Sequence, residues 1–152
     1  MFHVARALLS PPAMNVNLLR DSFAFVIERE PELVGRFYTI LFERYPQARA
    51  LFGRNARAAQ EKMLAGALVA VLDHIEDAAW FRSTLGALGA KHVGYGVTEE
   101  MYGWVGECLL AALAEAAGAA WSAELETEWA AAYGAIAGAM LDGANAALAE
   151  AA

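Results

Sequence analysis

His92 is the residue in this sequence best placed for chemistry. It stands in the stretch Lys91-His92-Val93-Gly94-Tyr95-Gly96-Val97, which closes an apolar helical pattern of Phe81, Leu85 and Leu88. Taken alone, a histidine at a helix end is a solvated or hydrogen-bonded side chain. Here it continues an apolar face, and the glycines after it let the chain turn away and leave room. A neutral imidazole on a rigid support, with an open position opposite, is the arrangement that a haem iron requires.

Three other residues could complete such a site. Gln60 begins the apolar face of a long helical stretch, and Leu64 lies one turn further along that face. A helix, a turn and a returning helix would set Gln60 and His92 on opposite sides of one slot. By itself Gln60 reads as a surface residue. Tyr38 sits on the core side of its helix beside Phe37. A buried phenol without a partner costs about 1–3 kcal/mol, so its hydroxyl either reaches a backbone carbonyl or points into a polar part of a ligand pocket. Phe52 could pack on a flat macrocycle or be an ordinary core phenylalanine.

The remaining candidates read as structural. His74, between Asp73 and Ile75 and near Glu76, reads as a surface residue. Cys108 lies in an apolar helical stretch and reads as a small core residue. Trp80, Trp104, Trp121 and Trp129 have helical spacing and read as packing. No glycine-rich phosphate loop, nucleophile triad or paired-carboxylate motif stands out.

The elements that must carry these residues are all helical. Asn17 is the expected cap of a first helix reaching Glu30, with Leu18, Leu19, Phe23 and Val26 on one face. Pro31 suits the first turn of a second helix carrying Leu33, Phe37 and Leu41. Pro46 breaks that helix and can start a short third one ending near Phe52. Gly53 to Arg57 is a connection, and Gly53 to Ala59 is expected to be mobile. A long helix is expected over Ala58–Ile75 and another over Trp80–His92. Thr98, followed by Glu99 and Glu100, looks like the cap of the next helix. Gly118 ends that helix, and Ser122 can cap the last, with Leu125, Trp129, Tyr133, Ile136 and Met140 as its stripe. No stretch alternates with period two. The reading is all-α, about seven helices, one domain.

Composition narrows the function. The chain has 152 residues and is 59% hydrophobic, much of that alanine, the best helix former. No uninterrupted apolar run approaches the roughly 18 residues of a membrane span, so no membrane partner is expected. The net charge of −7 argues against nucleic acid and anionic lipid. A single cysteine rules out an internal disulfide and a multi-cysteine metal site. These traits suggest a cytoplasmic protein. Residues 1–13, with Pro11-Pro12 and His3, read as a disordered arm or as an extension before Met14, rather than as a signal peptide. Residues 14–152 form the expected domain.

The pattern Phe37-Tyr38, Tyr45-Pro46, Leu51-Phe52, Gln60, Leu64, Lys91-His92 and Tyr102 resembles the bacterial haemoglobins, single-domain globins related to the globin half of flavohaemoglobins. The block Tyr102 to Leu110 and the run Trp129 to Ile136 are similar to that family's last two helices. The resemblance covers about residues 16 to 142. It implies a globin fold, a three-over-three helical sandwich with a short or absent D helix, and haem b as cofactor. It implies His92 as the proximal iron ligand and Tyr38 with Gln60 as the distal pair that hydrogen-bonds a diatomic ligand. Phe52 and Leu64 match apolar haem contacts, and Tyr95, Val97 and Tyr102 are the further expected cofactor contacts. One departure matters. Related globins set a tyrosine and a glutamate beside the proximal histidine. Tyr102 matches the tyrosine, but the glutamate position falls on Ala144. Asp142 could substitute only if the last helix shifted in register.

Three functions are consistent with these residues. The first is reversible binding of O2, and of NO or CO, for storage, delivery or scavenging. The second is nitric oxide dioxygenase; with no flavin or nicotinamide stretch in the sequence, it would draw electrons from a separate reductase. The third is a gas-sensing module. Monomer and homodimer are equally compatible with the sequence.

Overall fold

The computed structural model describes residues 14–52 and 56–152. Among these residues all regular structure is helical. In chain order the elements are α1 (Val16–Arg29), α2 (Leu33–Arg44), a 3-10 segment (Pro46–Phe52), α3 (Arg57–Asp73), α4 (Ala78–Gly94), α5 (Glu99–Ala117), a short 3-10 turn (Gly118–Ala120) and α6 (Ala123–Ala151). The expected arm at residues 1–13, with His3, lies outside the described residues. So do residues 53–55 of the expected mobile connection; Arg57, Ala58 and Ala59 form the first turn of α3.

Local chemistry explains most boundaries and corrects several. Asn15, not Asn17, caps α1: its Oδ1 accepts from the Leu18 amide at 3.1 Å, so the helix begins earlier than expected. Pro31 does not open α2. The Leu33 amide donates to the Glu30 carbonyl at 3.0 Å, closing a turn over Pro31 and Glu32 before the helix starts. Pro46 forces Tyr45 out of helical geometry (φ −132°, ψ 74°), and the chain continues as a 3-10 segment. Asp77 caps α4 through its Oδ1 and the Trp80 amide at 3.0 Å. Ser122 caps α6 as expected, accepting from the Leu125 amide at 3.1 Å.

Helix α5 is the centre of the core. Cys108, Ala112, Leu113 and Ala117 are all at most 1% exposed. It packs against α1, α2 and α6; α1 also meets α3 and α6, and α2 meets α3. Glu99–Ala120 is long and apolar enough to cross a membrane by length and composition, with a mean hydropathy of 1.2. The expectation that no such stretch exists is therefore corrected. The apolarity has a packing reason: eight residues of α5 are buried against neighbouring helices.

The most intimate pairing is α4 on α6. A Cβ on Gly89 would overlap the Met140 carbonyl, and one on Gly143 would overlap the Gly86 carbonyl. The two backbones thus approach closer than any side chain permits. By contrast, α3 and α4 are not among the closely packed pairs of described helices. This combination pulls the helix bearing His92 toward α6 and away from the one bearing Gln60.

Gly89→Ala should destabilise the protein by about 1–3 kcal/mol or more, because backbone, not a side chain, must move. Gly138→Ala, where nothing lies within 4 Å of the new methyl, should stabilise α6 by up to about 1 kcal/mol. Urea denaturation of both variants checks the contrast; equal effects would contradict the close crossing.

Candidate functional site

The expected site residues fall into two groups on separate elements. The first is built on α2, the 3-10 segment and the start of α3. Tyr38 is 3% exposed. Its ring packs edge-on against Phe37 at 5.0 Å and Phe52 at 5.4 Å. Phe42 closes the cluster, 5.9 Å from Tyr38 and 5.8 Å from Phe52. Sequence reasoning missed Phe42, though its spacing of four from Tyr38 on one helix was a usable signal. Leu64, half-buried on α3, packs on the same core.

The polar members of this group meet directly. Gln60 Nε2 donates to the Tyr38 hydroxyl oxygen at 3.2 Å. Gln60 is half-buried, not the surface residue its type alone suggested. The phenol's partner is thus a side-chain amide. The phenol oxygen accepts from the amide, so its own proton remains for another acceptor. Burial raises the phenol pKa above its ordinary 10.0, the Gln60 hydrogen bond opposes this, and Glu61 raises it further while Arg57 lowers it. The hydroxyl therefore keeps its proton at neutral pH.

The second group is built on α4 and the start of α5. The Nδ1 of His92 lies 2.7 Å from the Leu88 carbonyl oxygen. A carbonyl only accepts, so Nδ1 carries the proton and Nε2 keeps its lone pair. The helix end holds the ring's backbone as well: the His92 carbonyl accepts from the amides of Tyr95 and Val97, both at 3.1 Å. Gly96, at φ 87°, makes that turn in a conformation that favours glycine. Tyr95 meets the His92 ring edge-on at 5.3 Å but is 52% exposed, so it stands at the rim. Val97 and Tyr102 join Leu85 and Leu88 in a separate apolar cluster with Met140.

Two details on this side bear on the histidine. Ala144 is buried at 6% exposure while Asp142 is exposed, so α6 has not shifted to bring a carboxylate inward. The Tyr102 hydroxyl is buried and lacks a hydrogen-bond partner among the described residues. Its pKa is raised by burial alone. The neighbouring Tyr133 hydroxyl, in contrast, donates to the Tyr102 carbonyl at 2.6 Å. Tyr133 also explains Gly106, whose Cβ would stand 2.6 Å from that ring.

His74 is not a surface residue. It is half-buried, stacks on Trp80 at 4.2 Å and bonds the Ala70 carbonyl through Nδ1 at 2.9 Å, which makes it a structural end to α3. Cys108 is fully buried, as its apolar setting suggested.

These residues suit a haem. One imidazole nitrogen has a fixed donor role and the other a free lone pair. A phenol and an amide lie on a different wall, lined by aromatic rings. The two helices that would flank the macrocycle are not packed on each other.

Comparison with known proteins agrees. The chain is 37% identical over 133 residues to a flavohemoprotein of Bordetella pertussis, covering 86% of this chain and 32% of that protein. It thus spans about a third of the length of that relative. A bacterial globin from Campylobacter jejuni superposes with a TM-score of 0.73 at 29% identity, covering 86% of this chain and 94% of that one. An engineered carbene transferase, derived from a proposed nitric oxide dioxygenase of Rhodothermus marinus, gives a TM-score of 0.77 at 27% identity, covering 88% and 93%. Residues 35–140 match the Globin family, and the chain belongs to it as an all-α, haem-binding globin.

Proposed function

We propose that this globin holds its haem through Nε2 of His92 and binds a diatomic gas, O2 first among them, on the face guarded by Tyr38 and Gln60. Bound haem supplies an iron with one open coordination position for such a gas. The observation that carries the reading is the Gln60-to-Tyr38 hydrogen bond. By accepting from Gln60, the phenol is fixed in orientation with a proton to spare. Tyr38 donates that proton to the outer atom of a polarised diatomic ligand, a hydrogen bond to partial negative charge. Phe42, Phe52 and Leu64 surround the donors with apolar surface and limit water entry.

The proximal side supports reversible binding over peroxidase-like chemistry. His92 donates to a backbone carbonyl, a weaker acceptor than a carboxylate. The imidazole is therefore a moderate electron donor, whereas cleavage of an O–O bond favours a stronger one.

A second reading is nitric oxide dioxygenase, favoured by the likeness to the Rhodothermus marinus protein. That reaction joins nitric oxide and O2 with one electron to give nitrate. The same donors would serve it, and a separate reductase would return the electron. We rank it second because no residue of the site is specific to it.

His92→Ala should abolish stable haem uptake; an unchanged ferrous spectrum would refute the ligand assignment. Tyr38→Phe should speed O2 dissociation about tenfold or more, the loss expected for a hydrogen bond to a charged acceptor. In the parent protein the dissociation rate should stay flat through neutral and mildly alkaline pH, since burial raises the phenol pKa above its ordinary value. Nitric oxide consumption with a supplied reductase should not exceed the single stoichiometric reaction; sustained turnover would move the assignment to the second reading.

The proximal cluster gives an independent check. In the haem-free protein Tyr102→Phe should leave stability unchanged or raise it, because the hydroxyl has no partner to lose among the described residues. Tyr133→Phe should cost about 1 kcal/mol. A comparable loss from Tyr102→Phe in urea titrations would show that its phenol is bonded.

A further inference from the structure

The Tyr38–Gln60 pair spans two helices whose mutual distance must be fixed by something outside the pair. A single 3.2 Å contact between a phenol and a flexible amide does not hold two helices in register. The start of α3 carries a device that does. Arg57, its first residue, sends Nη2 to the Gly35 carbonyl at 2.7 Å and to the Thr39 hydroxyl at 2.8 Å, both on α2. Its Nε donates to Glu61 on α3 at 2.8 Å. Gly35 is close enough to Glu61 that a Cβ there would stand 3.2 Å from Oε1.

The positions are as informative as the distances. Gly35 and Thr39 lie three residues before and one after Tyr38 on α2. Arg57 and Glu61 lie three before and one after Gln60 on α3. The bracket therefore flanks the pair identically on both helices. A guanidinium suits the task, because its rigid planar fork directs several N–H bonds at once, whereas an ammonium is a compact point charge. The ion pair itself is partly exposed, with side chains at 48% and 26%, so its own contribution to stability is small.

Resting on the reading of Tyr38 and Gln60 as the gas-facing pair, we propose that Arg57 is a positioning residue: its bonds to Gly35 and Thr39, with Glu61 holding the guanidinium from its own helix, fix the start of α3 against α2 and thereby set the phenol–amide geometry over the gas. Arg57 also offsets the Glu61 carboxylate, whose charge is felt at the Tyr38 phenol. Without it, the second helix is free to drift and one negative charge beside the pocket is uncompensated.

The test uses the full haem-loaded chain and carbon monoxide as probe. Arg57→Ala should keep helix content, haem uptake and the iron–histidine stretch. It should raise or split the carbonyl stretching band and increase O2 dissociation several-fold. Arg57→Lys, which retains the charge but not the fork, should restore the band position only in part. In the haem-free chain, amide hydrogens of Gln60 and Glu61 should exchange faster in Arg57→Ala than in the parent. Arg44→Ala, which breaks a comparable surface pair with Glu107 at 2.7 Å, should change none of these signals. A carbonyl band and an O2 dissociation rate identical to the parent in Arg57→Ala would overturn the proposal. If Tyr38→Phe also leaves both unchanged, the reading of the distal pair has failed instead. If Arg57→Ala does not fold, Thr39→Val removes one of the three bonds and is read by the same band.

Discussion

The approach of α4 to α6 is the constraint on which the pocket depends. A helix carrying a metal ligand must be held firmly from behind, or the ligand moves with every fluctuation of the slot in front of it. Here the hold is backbone against backbone, made feasible by Gly89 and Gly143. Side-chain packing at a crossing leaves rotamers that can adjust; main chain resting on main chain leaves very little. The cost is intrinsic, since glycine inside a helix weakens it by roughly 0.5–1 kcal/mol relative to alanine. That a 17-residue helix accepts two such glycines in the turns before His92 indicates that the crossing outweighs propensity.

The two walls solve opposite electrostatic problems. On the proximal wall the imidazole must stay neutral and keep one lone pair free. A carbonyl of its own helix, Leu88, fixes Nδ1 as the donor and so points Nε2 to the open side, with no charged group required. On the distal wall a polar donor must survive burial without losing its proton. Tyr38 does so because desolvation favours the neutral phenol more than the Gln60 hydrogen bond to its oxygen disfavours it. An unpaired buried hydroxyl would cost about 1–3 kcal/mol. Tyr102 carries that cost on the other side, where none of the described residues supplies a partner. The contrast between the two phenols is the clearest sign that polarity in this core is concentrated where a ligand would use it.

The sequence carried the helical architecture through local rules, whereas the polar pair was legible only through the resemblance to known globins, since by type alone Gln60 reads as a surface residue. Periodicity located α3 to α6, and Thr98 and Ser122 marked the starts of α5 and α6. The errors lie where two neighbouring residues could each do the same task. Asn15 and Asn17 are both competent caps, and only the packing of Leu19 and Phe23 decides between them. His74 failed as a surface residue because its partner, Trp80, sits beyond the turn, on the next helix. The α4–α6 crossing and the Arg57 bracket were invisible for the same reason: each joins residues far apart in the chain, and spacing along the chain says nothing of such contacts. Phe42 is different, since its i,i+4 relation to Tyr38 is legible in the sequence, masked only by the stronger Leu33–Phe37–Leu41 stripe on the same helix.

The replacement at Ala144 shapes how the remaining residues should be weighed. A carboxylate near His92 would draw the Nδ1 proton and make the imidazole more electron-rich, and the Tyr102 hydroxyl would have a partner. With a methyl group there instead, both consequences vanish together: His92 falls back on Leu88, and the phenol is left unpaired among the described residues. A single buried position thus removes one charge from the proximal side and leaves the distal side as the place where hydrogen bonding can distinguish one gas from another. On the proposed reading, a ligand that gains negative character on binding, as O2 does, would be stabilised by Tyr38 and Gln60, and a less polarised one, such as carbon monoxide, would gain less. Selectivity is, on that reading, a matter of distal geometry, and the exposed Arg57 tether would matter because it sets that geometry.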